Sequence, residues 1–127
     1  MMPNKKTIGI TGAGGSLGKA LTKKFSSHGH KIIGFTHNKN PKELFEEGPD
    51  EWVYWECGKE FLLENSLSKI DILILNHGIY NHKQDLEKSI EINALSKIKI
   101  LKLFEEISYS QSIESSPKEI WINTSEA

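Results

Sequence analysis

The sequence has no arginine: all 16 of its basic residues are lysines. Bidentate guanidinium clamps on phosphates or carboxylates are thereby excluded. A single cysteine, Cys57, excludes an internal disulfide and suits a reducing compartment. Neither sign of charge is in excess, with 16 basic against 17 acidic residues, so no bulk field points to nucleic acid or an anionic membrane. No apolar run approaches transmembrane length. The opening Met-Met-Pro-Asn-Lys-Lys leads into one short strand-like run rather than a signal peptide. Internal repeats and low-complexity tracts are also lacking. At 127 residues the expectation is one domain, 1–127, soluble and cytoplasmic, long enough for a real core.

What the chain does have is glycine in one place. Thr7-Ile-Gly-Ile10 reads as a strand running into a cluster, Thr11-Gly-Ala-Gly-Gly-Ser-Leu-Gly18, with four glycines in seven residues. A helix follows, with Leu17, Ala20, Leu21 and Phe25 at helical spacing. Strand, glycine turn and helix in this order form the context of a dinucleotide-binding turn. Gly12 permits the tight turn, Gly14 or Gly15 lets the backbone approach a pyrophosphate, and Gly18 lets the helix pack on the strand. The free N–H groups and positive dipole end of the helix favour the phosphates. A plain strand-to-helix turn needs fewer glycines than this.

Further along, Ser26-Ser-His-Gly29 marks the helix stop, with glycine near the cap. Lys31–Thr36 reads as a buried parallel strand, and residues 38–50 as a polar loop holding at most a short helix. Glu51–Glu56 is a third, aromatic-rich strand, and Lys59–Leu67 a short helix with Phe61 and Leu62 inward and Leu63 the further inward candidate. Asp71–Asn76 is the cleanest strand. Residues 84–107 follow as a long helix, with Ile92, Leu95, Ile98, Leu101 and Phe104 on one face. Glu119–Asn123 is the last strand. Strands alternating with helices predict an α/β fold, a Rossmann-like doubly wound parallel sheet that stops after the fifth strand. In such sheets ligands lie at the carboxyl ends of the strands, and the polar candidates below all follow a strand end or lie on the long helix.

Thr11-Gly12-x-x-Gly15-x-x-Gly18 resembles the glycine motif of the short-chain dehydrogenase/reductase family, in its extended TGxxGxxG form. Ser16 stands where the "classical" form has glycine, and Ser16 and Leu17 complete the expected cofactor-binding turn. Asp71-Ile-Leu-Ile-Leu-Asn76-His77-Gly78-Ile79 is similar to the family's DxLVNNAGI block and leans to the classical branch. The resemblance implies that Asn76 braces the central strands and that Gly78 lets the backbone lie near the cofactor ribose. It gives His77 no chemical part, although an imidazole there invites one. Glu56 resembles an acid that helps hold the adenine; a surface carboxylate is the competing reading. Cys57 reads as a small buried hydrophobe. Glu91-Ile-Asn93-Ala-Leu-Ser96 resembles the family's helix asparagine, which supports a water chain to the catalytic lysine. Only 14 residues separate Gly78 from Asn93, a trimmed connection. Trp121-Ile-Asn-Thr-Ser125 resembles the strand closing on the catalytic serine, so Ser125, with Thr124 second, is expected to bond a substrate oxygen.

After the second strand comes Thr36-His37-Asn38-Lys39, where an acid would accept from a ribose 2′-hydroxyl. No acid stands between Ile33 and Lys42, and His37 and Lys39 are cationic candidates, so NADP is favoured over NAD. The resemblance covers the chain from Lys6 onward and implies hydride transfer between NAD(P)H and a carbonyl or alcohol. It leaves open a homo-oligomer or a complementary half, and it implies no metal. The family's YxxxK acid/base pair is absent: Tyr80 precedes Lys83 one residue too early, and Tyr109 precedes Ile113. The expectation is therefore an oxidoreductase lineage whose mechanism these residues do not complete. A non-catalytic dinucleotide-binding module and an inactive fragment are the alternatives.

Overall fold

The computed structural model describes residues 5–37, 48–56, 58–76, 95–110 and 118–122. Five strands, β1 (Thr7–Thr11), β2 (Lys31–Thr36), β3 (Glu51–Tyr54), β4 (Ile72–Leu75) and β5 (Glu119–Ile122), form one sheet in the order β3-β2-β1-β4-β5. All four pairings are parallel. Parallel neighbours require crossovers, and the described helices supply parts of them: α1 (Ser16–Ser27), a 3₁₀ turn (Glu60–Leu63) continuing into α2 (Glu64–Leu67), and α3 (Ser96–Ser110). From β1 the chain winds outward through β2 to β3, then returns to the other side of β1 for β4 and β5. The order of winding therefore reverses between β1 and β4, as expected for a doubly wound sheet.

Both faces of the central strands are covered, which is why β1, β2 and β4 are almost continuously apolar, whereas β5 is exposed along its length. On one face Ile8, Ile10, Ala13, Ile32 and Ile74 pack with Leu21 and Phe25 of α1. On the other, Ile33, Phe35, Leu73 and Leu75 pack with Leu63, Leu67, Ile100, Phe104 and Ile107. Glu60, 4% exposed, fastens the second layer. Its carboxylate accepts from the Gly58 N–H at 2.9 Å and the buried Ser96 hydroxyl at 3.1 Å, with Lys99 Nζ 3.9 Å away. A buried carboxylate is tolerable only with such partners, and here they join the 3₁₀ turn to the start of α3.

The facing of several helical residues differs from the sequence expectation. Leu17 is 47% exposed, and Gly18 and Thr22 are the fully buried positions of α1, because the helix lies too close to the glycine turn for a large side chain there. Phe61 and Leu62 are exposed, not inward; only Leu63 turns into the core from a 3₁₀ turn of three residues per turn. On α3 the buried stripe is Ile100, Phe104 and Ile107, while Leu95 and Ile98 are each 47% exposed. Phe104 and the part-buried Leu101 of the expected face do meet the core, with Ile100 and Ile107 beside them in place of Ile98. Ile92 lies outside the described residues. β3 ends at Tyr54 because β2, its partner, ends at Thr36; Trp55 still bonds the Thr36 carbonyl at 3.0 Å but then sinks into the core.

The two ends of the sheet are unlike. At the amino ends, side chains close the backbone: Asp71 Oδ2 accepts from Thr7 N–H at 2.9 Å, Asp50 Oδ2 from Ile32 N–H at 2.8 Å, and His30 Nδ1 from Lys6 N–H at 3.1 Å. Lys118 Nζ donates to the Ile70 carbonyl at 2.5 Å and lies 5.7 Å from the Phe104 ring centroid. The carboxyl ends carry the glycine turn instead.

Phe104→Ala is expected to lower unfolding stability by about 3–5 kcal/mol through the cavity it leaves. Phe61→Ala should stay within about 0.5 kcal/mol, as for surface positions generally. Urea denaturation of both variants checks the assignment of faces.

Candidate dinucleotide site

The site begins where β1 ends. Gly12 holds φ at +66°, the left-handed region that a side chain disfavours, and reverses the chain directly after Thr11. The Gly15 N–H returns to the Gly12 carbonyl at 3.1 Å, and the Ala13 N–H bonds the Phe35 carbonyl at 3.3 Å, tying the turn to the end of β2. Gly15 caps α1 with no side-chain hydrogen bond, and the first turn holds no acidic residue. The N–H groups of Ser16, Leu17 and Gly18 have no intrahelical carbonyl to bond, as at any helix start. A Cβ on Gly18 would run into the Gly12 carbonyl oxygen and lie 2.7 Å from Ala13 Cα. The helix start is therefore held directly against the turn.

These residues fit a pyrophosphate. The turn leaves no room for side chains between helix and strand, the cap position has no side-chain oxygen to offer, and the first helical turn carries no carboxylate. Gly12, Gly14, Gly15, Ser16, Leu17 and Gly18 thus come together as the sequence anticipated, and the exposure of Leu17 puts its side chain on the surface beside the turn rather than in the core.

Thr11 is the residue the sequence reading passed over. It is fully buried, and its hydroxyl accepts from the Asn76 N–H at 2.8 Å while lying 3.4 Å from the Ile74 carbonyl. The hydroxyl closes the gap between β1 and β4 at the switch point, just where their carboxyl ends diverge. Its signal was in plain view as the first letter of the TGxxGxxG block. Asn76 follows β4 at that junction, joined to β1 through its backbone N–H.

His37 stands one residue past β2, exposed. Its Nδ1 lies 2.8 Å from the Trp55 carbonyl, and its ring is 4.4 Å from the buried Trp55 ring at 39°. The Trp55 N–H in turn bonds the Thr36 carbonyl, so Trp55 clamps this strand end from both its backbone groups. Glu56, beside it, is taken up locally: the Tyr54 hydroxyl donates to Oε1, and Lys59 Nζ lies 3.5 Å from Oε2. The carboxylate accepting its proton, more than burial or charge, holds the Tyr54 phenol above its ordinary range. Lys39, Gly78, Asn93 and Ser125 lie outside the described residues, as do His77 and Thr124.

Thr11→Val is expected to cost about 1–3 kcal/mol by leaving the Asn76 N–H without its acceptor, whereas Thr11→Ser should recover most of that. Chemical denaturation of the pair separates the hydroxyl from the methyl group.

The sequence model of the NAD dependent epimerase/dehydratase family matches residues 8–120. Monoglucosyldiacylglycerol epimerase of Synechocystis sp. (strain ATCC 27184 / PCC 6803 / Kazusa) is 33% identical over 132 aligned residues, which take in 96% of this chain and 31% of that protein. The chain thus spans about a third of the length of this curated relative. Among solved structures, the Bordetella bronchiseptica enzyme WbmH, in complex with NAD+, superposes with a TM-score of 0.70 at 16% identity, over 83% of this chain and 37% of that one. Serine dehydrogenase from Escherichia coli gives 0.73 at 21% identity, over 91% and 60%. At such identities the superpositions establish the fold. The family match extends from β1 into β5, and of the two branches weighed from the motifs it follows the extended one, to which the glycine spacing pointed. This chain belongs to the NAD dependent epimerase/dehydratase family.

Proposed function

We propose that the chain forms the dinucleotide-binding part of an NAD(P)-dependent enzyme of the short-chain dehydrogenase/reductase type. The observation that carries the reading is the close seat of α1 on the glycine turn at Gly18, at the reversal of strand order. It aims a helix start with no acidic residue at the open end of the sheet. When bound, the nicotinamide supplies or takes up the hydride needed to oxidise, reduce or epimerise a carbinol centre.

The chain's own part is to hold the pyrophosphate on the N–H groups of Gly14–Gly18 and to set the adenosine half against the end of β2. His37 and Lys39, with no acid between Ile33 and Lys42, support NADP over NAD. Glu56 is assigned to the adenine edge, Asn76 and Gly78 to the cofactor side of β4, Asn93 to the proton relay and Ser125 to the substrate oxygen. The glycolipid named for the Synechocystis relative makes a sugar hydroxyl or its ketone a fitting substrate class, alongside small carbonyls and alcohols. The second reading is a dinucleotide-binding module without catalysis.

Thermal melting with and without NADPH or NADH tests the site. A dinucleotide at about a hundred times its Kd adds about 2.7 kcal/mol to the folded state, a clear rise in Tm. The expected result is a rise with both and a larger one with NADPH. A cooperative melt unmoved by either removes the dinucleotide reading. Turnover of a carbonyl by the same chain would remove the non-catalytic one.

A further inference from the structure

A cleft of about 260 Å³ opens on the face of the sheet that α1 covers, between α1 and the stretch leading into β3. Lys19, Thr22, Lys23 and Ser26 form one wall, brought to a single face of α1 by their spacing of three and four. Gly48, Pro49 and Trp52 form the other, and Ala13 of the glycine turn lines the cleft between them. Two glycines shape it. A Cβ on Gly34 would run into the Pro49 ring and stand 3.0 Å from Ala13 Cβ, so glycine lets both settle directly on β2. Gly48 lies against the Trp52 ring, where a Cβ would stand 3.2 Å from Cζ2, and adds no side chain to the cleft. The buried Thr22 hydroxyl is taken up by the Gly18 carbonyl at 2.8 Å.

The cleft is apolar within and cationic at its rim. Lys19 and Lys23 are exposed, α1 carries no acidic residue, and no carboxylate lines the cleft among the described residues. Asp50, next to Pro49, is engaged by the Ile32 N–H at 2.8 Å. Like charges four residues apart on a helix repel, and Lys23 has no ion pair among the described residues to offset this. We infer that the cleft binds a small amphipathic carboxylate, its apolar chain along Trp52 and Pro49 and its head between the ammonium groups of Lys19 and Lys23. The anion relieves the repulsion of the two lysines, whose methylene stems extend the apolar wall. At about 30 Å³ per water in the liquid, the cleft has the room of about nine waters, which suits a chain of about eight carbons. This site stands whether or not the glycine turn holds a dinucleotide.

Two other exposed apolar surfaces lack this combination. Beside Phe61, the groove that holds Lys99 and Lys102 also holds Glu60 and Glu106, with Lys99 Nζ 3.9 Å from the Glu60 carboxylate, so its cations are balanced. Along β5, Ile120, Trp121 and Ile122 are exposed, but the adjoining Lys118 donates to the Ile70 carbonyl. Only the α1 cleft, among these three, joins an apolar wall to unbalanced positive charge.

The test titrates octanoate into the 127-residue chain without dinucleotide, followed by nitrogen-15 NMR. Saturable binding is expected, with shifts at the Thr22 and Gly48 amides and the Trp52 indole. Octanol, which has the chain without the charge, should bind more weakly. Lys23→Glu should weaken octanoate binding about fivefold, the size of one exposed ion pair. Lys24→Glu makes the same change in net charge on α1 outside the cleft and should weaken it less than about twofold. Absence of saturable binding, shifts gathered at Phe61 or along β5, octanol binding as tightly as octanoate, or equal losses in the two variants each overturn the inference. Binding to anionic phospholipid vesicles with no response to free octanoate would assign the cleft to a membrane surface and overturn it as well. Should Lys23→Glu lose its cooperative melt, Lys23→Gln against Lys24→Gln carries the comparison, with the loss again expected only at Lys23.

Discussion

The close approach of α1 to the glycine turn is the constraint on which the open end of the molecule depends. Without a Cβ at Gly18, the first turn of the helix rests on the Gly12 carbonyl and the Ala13 backbone. That contact sets where α1 starts and holds its first N–H groups beside the turn at the end of β1, which the Ala13–Phe35 hydrogen bond ties to β2. Thr11 complements this from below. Its hydroxyl binds the Asn76 N–H where the β-ladder can no longer do so, which holds the two strands together as they begin to separate.

The sheet is polarised by how its ends are satisfied. At the amino ends Asp50, Asp71, His30 and Lys118 saturate backbone groups and leave little chemistry free. At the carboxyl ends the comparable task is done by glycine backbone, a threonine hydroxyl and the clamp of Trp55, all of which occupy little space. The same backbone rule, that every buried N–H and C=O needs a partner, is thus met by bulky ionic groups at one end and by compact ones at the other.

The glycolipid epimerase to which the chain is similar, and the dehydrogenase and NAD+-bound structures that share its fold, vary in chemistry over one scaffold. What they share with this chain is the parallel sheet and its opening strand, turn and helix, and the chain spans about a third of the length of the Synechocystis relative.

Sequence alone determined the parallel five-stranded sheet, the glycine turn and the stop of α1 ahead of Gly29. Each rests on local pattern: unbroken apolar strands, a positive-φ glycine, and apolar residues at helical spacing. Tertiary structure alone decided which faces are buried. The periodicity of the long helix placed Phe104 and Leu101 on the inner face, but the packing turned Ile100 and Ile107 to the core with them and left Ile98 half exposed. Phe61 and Leu62 were misjudged for the same reason, because hydrophobicity does not specify direction on a 3₁₀ turn. The roles of Thr11 and Trp55 also needed the fold: the partners they hold are 65 and 18 residues away, and no local spacing encodes a hydrogen bond across that distance.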